Sequence, residues 1–183
     1  GVGLIKDYKK MITMDFKEIE NIVLVIGKTE GHIDQSLLSR IILNENNGPP
    51  PEVNLFNEKN NGLTLLNLIE KNFIKSAHDV SLGGIITAIS KMCIKGNKGI
   101  QIKKPKFLIN EIEYFFAEDQ GRYLIEINPK ELKEVSKILD KNSVHYDEIG
   151  KIIDKEMIID QKTKLTIDEL KSYNTNWLKS YMV

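Results

Sequence analysis

The sequence has 183 residues, of which 41% are hydrophobic and 28% are charged. The 26 Lys and Arg residues balance the 26 Asp and Glu residues, so no net field attracts nucleic acid or an anionic membrane surface. No apolar run approaches the roughly 18 residues of a membrane span, and the single Cys93 excludes an internal disulfide. We expect one folded domain, or a domain with a short appendage, of a cytoplasmic protein without a nucleic-acid or membrane partner.

The first part of the chain predicts two strands and two helices. Residues 22–26 have the β-branched, apolar composition of a buried strand. A helix capped by Asp34 or Ser36 is predicted next. Its apolar face would consist of Leu37, Leu38, Ile41 and Ile42. After a loop rich in Asn, Gly and Pro, the leucine spacing predicts a helix over residues 55–71, and a strand follows over residues 73–79.

The second part continues the alternation of helices and strands. A helix begins after Gly83 and Gly84, and Cys93 lies on its apolar face, so we interpret this thiol as a core residue. The later predicted elements are a strand at 100–103, a helix at 107–116, a strand at 123–127, a helix at 129–140, a hairpin of 145–153 with 157–159, and a last helix capped by Thr166. Because the hairpin adds antiparallel pairing, we expect an α/β (α+β) fold with a mixed β-sheet flanked by helices.

The most informative stretch is residues 76–84, which runs from a strand through two glycines into a helix. Gly83 and Gly84 allow close backbone approach, and the helix start after them offers N–H groups at the positive end of its dipole. Such a corner suits a phosphate or carboxylate. The alternative is that the glycines only permit tight packing of the helix, with Ser81 as its N-cap.

His78 and Asp79 precede this corner. Neighbours on a strand point to opposite faces, so only one of them can face a given pocket. We favour Asp79, which is nearer the glycines; the alternative is a turn-forming Asp that accepts backbone N–H bonds. A metal site would need further ligands, and His32 and His145 lack the spacing for one, so we predict no metal site in this chain.

A second candidate is the sequence Glu-Asp-Gln-Gly-Arg at residues 118–122, just before a strand. Arg122 could hold a phosphate through two N–H donors, and Gln120 offers both a donor and an acceptor. The alternative is a solvated turn in which Arg122 pairs with Glu118 or Asp119.

A third candidate is the turn at residues 27–36, after the first strand. It contains Lys28 and hydroxyl groups that could bind an anion, but it lacks the upstream glycine of a phosphate loop. We interpret it as a structural turn.

Five segments resemble, in the same order, the blocks of one family. Residues 77–84 resemble the signature of the C-terminal domain of the synthetase subunit of phosphoribosylformylglycinamidine synthase, a glutamine-dependent amidoligase of purine biosynthesis. The other segments are residues 1–7, 24–27, 50–53 and 116–122. The resemblance implies the fold of the C-terminal domain of aminoimidazole ribonucleotide synthetase. Residues 1–18 would connect to an upstream ATP-binding domain, and residues 19–183 would form the synthetase-like domain.

The resemblance also implies a function. The full-length enzyme would use ATP and Mg²⁺ to convert formylglycinamide ribonucleotide and ammonia to the formylglycinamidine, and a glutaminase subunit would supply the ammonia. The catalytic groups would lie in upstream domains of the same polypeptide, so this chain would have none and would bind no cofactor tightly. It would complete the substrate pocket, and its substrate or phosphate contacts would be Asp79, Ser81, Gly83, Gly84, Glu118, Gln120, Gly121 and Arg122.

The chain departs from the family pattern at three places. Leu82 stands where the family usually has Asp, Asp119 replaces a Ser, and no Gly-Gly pair remains near Gly31. The added negative charge of Asp119 would oppose a phosphate. Two alternatives stay open: a non-catalytic domain that braces its neighbours and docks partner subunits, or the C-terminal domain of a related synthetase for aminoimidazole ribonucleotide or selenophosphate.

Overall fold

The computed structural model describes residues 3–5, 7–103, 105, 110–161 and 163–182. These residues form a mixed seven-stranded sheet with the order β2-β4-β1-β5-β3-β6-β7. The strands are β1 (Ile22–Ile26), β2 (Ile74–Asp79), β3 (Gly99–Ile102), β4 (Tyr123–Ile127), β5 (Tyr146–Ile153), β6 (Glu156–Ile159) and β7 (Thr163–Thr166). Neighbouring strands are antiparallel except β3 and β6, which are parallel. The predicted mixed sheet is confirmed.

Helices pack on both faces of the sheet. On one face lie α1 (Leu55–Glu70) and α4 (Leu132–Lys141). On the other face lie α2 (Gly84–Gly96), α3 (Glu111–Phe116) and the first turns of α5 (Ile167–Tyr181). Each face therefore has its own hydrophobic cluster, and the sheet separates the two.

Strand β1 joins the two clusters, as its uninterrupted apolar sequence requires. Val23 and Val25 point to the α2 side, whereas Ile22, Leu24 and Ile26 point to the α1 side. All five are buried. Burial of one such branched side chain contributes about 1.5–3 kcal/mol, so β1 is the apolar centre of the domain.

Several local predictions are confirmed. Helix α1 runs without a break from Leu55 to Glu70, close to the predicted range of 55–71. Thr166 caps α5 in a reciprocal capping box with Glu169. Cys93 is fully buried, and burial raises the pKa of its thiol to about 12, which keeps it protonated. Helix α3 begins at Glu111, and residues 107–109 of the predicted helix lie outside the described residues.

The helix predicted from Asp34 or Ser36 is reduced to the single π-type turn Leu38–Ile42. Ser36 and Ser39 are buried, whereas Ile41 and Ile42 are 68% and 71% exposed. The segment therefore turns its hydroxyl groups toward the domain, while Leu37 and Leu38 are half-buried and only the Ile41 and Ile42 end of the predicted apolar face points outward.

The predicted hairpin of residues 145–153 with 157–159 is wrong, because β3 lies between β5 and β6. The turn after β5 crosses directly over Gly99, the first residue of β3, and a Cβ at Gly99 would collide with the carbonyl oxygens of Asp154 and Glu156. A glycine at this position allows the crossing. Strand β6 pairs instead with β7, which the sequence analysis did not predict.

None of the helices in the described ranges is long and apolar enough to cross a membrane.

A buried carboxylate ties the segment before β1 to the sheet. Glu126 in β4 is 0% exposed, and it accepts hydrogen bonds from the amides of Lys17 (2.8 Å) and Glu18 (3.0 Å), from Asn21 Nδ2 (2.7 Å) and from Ser76 Oγ (2.8 Å). Phe16 is buried in the cluster beneath α2. The end of the predicted connecting segment thus packs on the domain, and a boundary after residue 18 stays a prediction.

We expect Glu126→Gln to lower the free energy of unfolding by about 2–4 kcal/mol, because an NH₂ group would face donors that now share a carboxylate oxygen. Urea denaturation measures the change. Glu148→Gln is the matched control: Glu148 lies on the surface, 3.6 Å from Lys103 Nζ, and its loss should change stability by less than about 0.5 kcal/mol. Equal effects of the two substitutions would contradict the role of Glu126.

Candidate functional site

The predicted site residues meet at the loop that leads into β4. Residues 117–122, here called the site loop, contact the turn after β1, the start of α2 and the end of β2. The amide of Glu118 donates to the carbonyl of His32 (3.1 Å), and the amide of Val80 donates to the carbonyl of Arg122 (2.9 Å). The fold thus brings both predicted clusters, residues 79–84 and 118–122, to one place.

Arg122 is inside this loop. Its side chain is 0% exposed, and its guanidinium donates to the carbonyls of Asp119 (3.1 Å) and Ala117 (2.7 Å) and to Thr29 Oγ1 (3.0 Å). Burial lowers the pKa of Arg122 from its ordinary value, and the Asp119 carboxylate, 3.8 Å from Nη1, opposes that shift. The pairing that the sequence left as an alternative is present, and here Arg122 positions the loop.

Asp119 is the next element of the network. Its carboxylate is almost fully buried and accepts the backbone amides of Glu30 (3.0 Å), Gly31 (3.2 Å) and His32 (3.1 Å). The extra charge relative to the family pattern is therefore neutralised by three N–H dipoles and by Arg122. The turn after β1, interpreted from sequence as structural, is bound to the site loop through its backbone.

Glu118 occupies the glycine corner. Its Oε1 accepts the amide of Gly83 (2.8 Å) and the amide of Leu37 (2.8 Å), while the amide of Gly84 donates to the carbonyl of Ser81 (3.0 Å). Both glycines are buried. The expectation that their amides are free for a phosphate is corrected: an internal carboxylate already lies at the start of α2.

The glycines serve close packing at this corner. Gly83 (φ +82°) is the N-cap of α2 in place of the predicted Ser81, and it has no side-chain cap. A Cβ on Gly84 (φ +69°) would lie 2.6 Å from the carbonyl oxygen of Phe115 and 2.7 Å from that of Ala117. Helix α2 therefore begins directly against the chain that leads into the site loop.

Two cavities flank the site loop and share Glu58, Asp119, Gln120 and Gly121 as lining residues. The larger cavity, of about 590 Å³, lies between the first half of α1 and residues 28–32. The smaller cavity, of about 310 Å³, lies between Glu58 and residues 79–82. Of the predicted site residues, the smaller cavity gathers Asp79, Ser81, Glu118, Gln120, Gly121 and Arg122, and not Gly83 or Gly84.

Helix α1 contributes residues that the sequence analysis missed. Asn61 Nδ2 donates to the carbonyl of Gly121 (2.9 Å), and Glu58 lies one turn earlier, at the wall shared by both cavities. Asn54 and Asn57 line the larger cavity on the same face of the helix. The spacing 54, 57, 58, 61 is a polar stripe at helical period, and this signal could have identified the face from sequence.

Tyr123, the first residue of β4, was also missed. It lines the smaller cavity, and burial raises the pKa of its phenol, with further contributions from the charges of Glu58 and Asp79. The phenol is therefore neutral at pH 7 and can donate a hydrogen bond. Its position beside Asp79 comes from β-sheet register, in which the two residues pair, whereas Glu58 comes from α1.

The two residues of the His-Asp pair differ in exposure, as their alternation on β2 predicts. The Asp79 side chain is 62% exposed and lines the smaller cavity, whereas that of His78 is 10% exposed. His78 Nδ1 lies 3.0 Å from Asp79 Oδ1. No group of three or more His, Cys, Asp or Glu residues in the described ranges is arranged to hold a metal ion.

The ligand chemistry of the smaller cavity is set by the polar side chains that are exposed in it. Arg122 is its one cationic residue in the described part of the chain, and its donors are used within the protein. The exposed polar groups are those of Asp79, Ser81 and Gln120. Carboxylate, hydroxyl and amide groups bind ligand hydroxyl, amine and amide groups, so this surface favours a donor-rich ligand over a phosphate.

We expect Gly84→Ala to destabilise the protein by roughly 2–4 kcal/mol, because the new methyl group meets two carbonyl oxygens and φ is positive. Gly62→Ala, in the interior of α1, is the matched control; its nearest neighbour lies 3.7 Å away, and it should stabilise the protein by about 0.5–1 kcal/mol. Denaturant midpoints of the two variants give the comparison, and an unchanged midpoint for Gly84→Ala would contradict the close packing.

Comparison with known proteins identifies the C-terminal domain that the sequence motifs resemble. Residues 18–161 match the family model described as AIR synthase related protein, C-terminal domain. The phosphoribosylformylglycinamidine synthase subunit PurL of Pelagibacter ubique is 67% identical over 182 residues, which is 100% of this chain and 25% of that protein. The chain thus spans about a quarter of the length of this curated relative.

Solved structures share the fold. T. maritima PurL complexed with FGAR matches with a TM-score of 0.73 and 17% identity over 88% of this chain and 29% of that chain. T. maritima PurL complexed with ATP matches with a TM-score of 0.67 and 16% identity over 88% and 27% of the two chains. Because the family model covers most of the chain and the sheet agrees with these structures, the chain belongs to the family of AIR synthase related proteins, as their C-terminal domain.

Proposed function

We propose that this chain is the C-terminal domain of the synthetase subunit of phosphoribosylformylglycinamidine synthase, and that it completes the pocket for formylglycinamide ribonucleotide. Its 67% identity to a PurL subunit over its whole length supports the assignment of the enzyme. The match of a T. maritima PurL complexed with FGAR supports the fold on which the assignment rests.

One observation carries the proposed pocket: the fold brings Asp79, Ser81 and Gln120 to one cavity with exposed side chains. Asp79 ends β2 and Ser81 follows it, whereas Gln120 lies in the site loop, about forty positions further along the sequence. Buried side chains hold the site loop in place, which preorganises its exposed Gln120. Rigid support of a contact residue lowers the entropy lost on binding.

The free groups indicate which part of the substrate they contact. Asp79 and Glu58 supply negative charge around the Tyr123 phenol, and Gln120 supplies both a donor and an acceptor. Hydroxyl groups of a ribose, or N–H groups of an amide, complement this set. The substrate phosphate does not, and we place it against cations of the longer enzyme.

The proposed reaction needs ATP and Mg²⁺, and the described residues of this chain do not form a site for either. In the proposed enzyme, the γ-phosphoryl group of ATP would pass to the amide oxygen of the glycinamide with release of ADP, and ammonia from a glutaminase subunit would then displace the phosphate to give the amidine. Mg²⁺ would neutralise charge on the triphosphate. No group of three or more His, Cys, Asp or Glu side chains among the described residues could hold a metal ion, and Arg122, the one cation that lines the smaller cavity, donates to oxygens of the protein itself. We therefore assign ATP, Mg²⁺ and the catalytic groups to upstream domains, and this chain's residues bind and orient substrate. A cytoplasmic location is part of the same proposal.

A second candidate function is bracing without ligand contact. The observation in its favour is that Glu118, Asp119 and Arg122 are all engaged within the protein. In that case the domain would only support its neighbours and dock partner subunits.

Substitution of the exposed contacts separates the two functions. In the full-length enzyme that carries this chain, we expect Gln120→Ala and Asp79→Asn each to weaken binding of formylglycinamide ribonucleotide about 3- to 10-fold, the effect of one lost hydrogen bond. Isothermal titration measures the dissociation constants. Gln101→Ala on β3, which two strands separate from β4, is the control and should leave affinity unchanged.

Unchanged affinity in both Gln120→Ala and Asp79→Asn would contradict the proposed contact and favour bracing. Thermal melting of each variant should stay within about 2 °C of the unaltered enzyme, since both side chains are exposed. This comparison separates lost contact from lost stability.

The 183-residue chain alone should neither hydrolyse ATP nor form product, because its described residues hold no metal-binding group of three or more His, Cys, Asp or Glu and no free cation in the smaller cavity. Coupled assays for ADP and for formylglycinamidine, run with a mock purification as control, test this. Turnover that copurifies with the isolated chain would contradict the assignment of catalysis to other domains.

A further inference from the structure

The turn after β1 holds a negatively charged group in an unusual way. Three successive backbone amides, those of Glu30, Gly31 and His32, point to the one carboxylate of Asp119, at 3.0, 3.2 and 3.1 Å. Gly31 has φ +88°, a conformation that lets consecutive N–H groups face the same side of the chain. We call residues 30–32 the amide turn.

Successive N–H groups arranged in this way form a concave site with positive potential, a geometry that proteins use to bind anions. The surroundings add to that potential. Arg122 Nη1 lies 3.8 Å from the carboxylate, with its side chain fully buried. The carboxylate is thus bound as an anionic ligand would be, by dipoles and by a neighbouring cation.

We propose that the amide turn is an oxyanion-binding site whose ligand in this chain is the Asp119 carboxylate. The site faces a space that could admit another anion, since Gly31, His32 and Asp119 all line the larger cavity of about 590 Å³. The carboxylate therefore blocks it. A small oxyanion, such as a carboxylate or phosphate group, is the ligand that the site takes once Asp119 is removed.

The consequence concerns specificity at the larger cavity. With its own carboxylate in the amide turn, the chain excludes an external anion from this end of the cavity. Lys28, the other cation near the turn, is engaged with Glu30 at 2.9 Å. This inference does not depend on the proposed substrate, and the two can fail separately.

The competing interpretation is that Asp119 only fastens the site loop to the turn. Both interpretations predict that its loss destabilises the protein. They differ in the effect of added anion on stability. If the amide turn is an oxyanion site, a suitable ion binds in the vacated turn and restores stability. If Asp119 only links the site loop to the turn, added anion does not restore it.

Asp119→Ser tests the difference, because the shorter side chain vacates the amide turn and keeps a polar group. The 183-residue chain is melted in increasing inorganic phosphate, with sodium chloride added to constant ionic strength. We expect the melting temperature of this variant to rise by roughly 3–6 °C at phosphate ten times its dissociation constant. The unaltered chain and Asp119→Asn, whose amide group still fills the turn, should show less than a third of that rise.

A folded Asp119→Ser variant without a phosphate-dependent rise would overturn the proposal, as would an equal rise in Asp119→Asn. A second measurement does not depend on the folding of any variant. In ¹⁵N spectra of the unaltered chain, phosphate should leave the amide resonances of the amide turn unchanged, because the carboxylate occupies it. Saturable shifts of these resonances would contradict the internal occupancy.

Discussion

The geometry of the site depends on the hydrogen bonds that the guanidinium of Arg122 donates. The guanidinium closes the site loop on itself through the carbonyls of Ala117 and Asp119, and it reaches Thr29 on the adjoining turn. Removal of one partner from a buried charged network costs about 3–5 kcal/mol, because the remaining charge is left uncompensated. With the loop closed, the side chains of Glu118 and Asp119 reach the start of α2 and the amide turn.

The site therefore divides its polar residues into two groups with different tasks. Arg122, the one cation of the site loop, and the carboxylates of Glu118 and Asp119 hold the loop, whereas Asp79, Ser81 and Gln120 face the smaller cavity. Backbone amides at the start of α2 and in the amide turn already bind carboxylates of the same chain. A ligand at the smaller cavity meets hydrogen-bonding groups with little free positive charge.

Local sequence patterns predicted much of the fold and part of the candidate site. The apolar run of β1, the leucine spacing of α1 and the cap at Thr166 predicted these elements, since each depends on nearby residues. The position of β3 between β5 and β6 depends on a contact between Gly99 and a distant turn, which no local pattern encodes. The motifs identified the site loop, but whether a charged group in a motif faces a ligand or its own backbone is decided by tertiary packing.

Amide hydrogen exchange at Gly83 and Leu37 tests the central claim most directly. Both amides donate to the Glu118 carboxylate, each at 2.8 Å. If this internal anion occupies the glycine corner, both amides should exchange at least about 100-fold more slowly than unprotected amides of the same sequence, without any ligand. Exchange at the unprotected rate, with slowing only when a phosphate-containing substrate is added, would show that the corner is open and would contradict the internal occupancy.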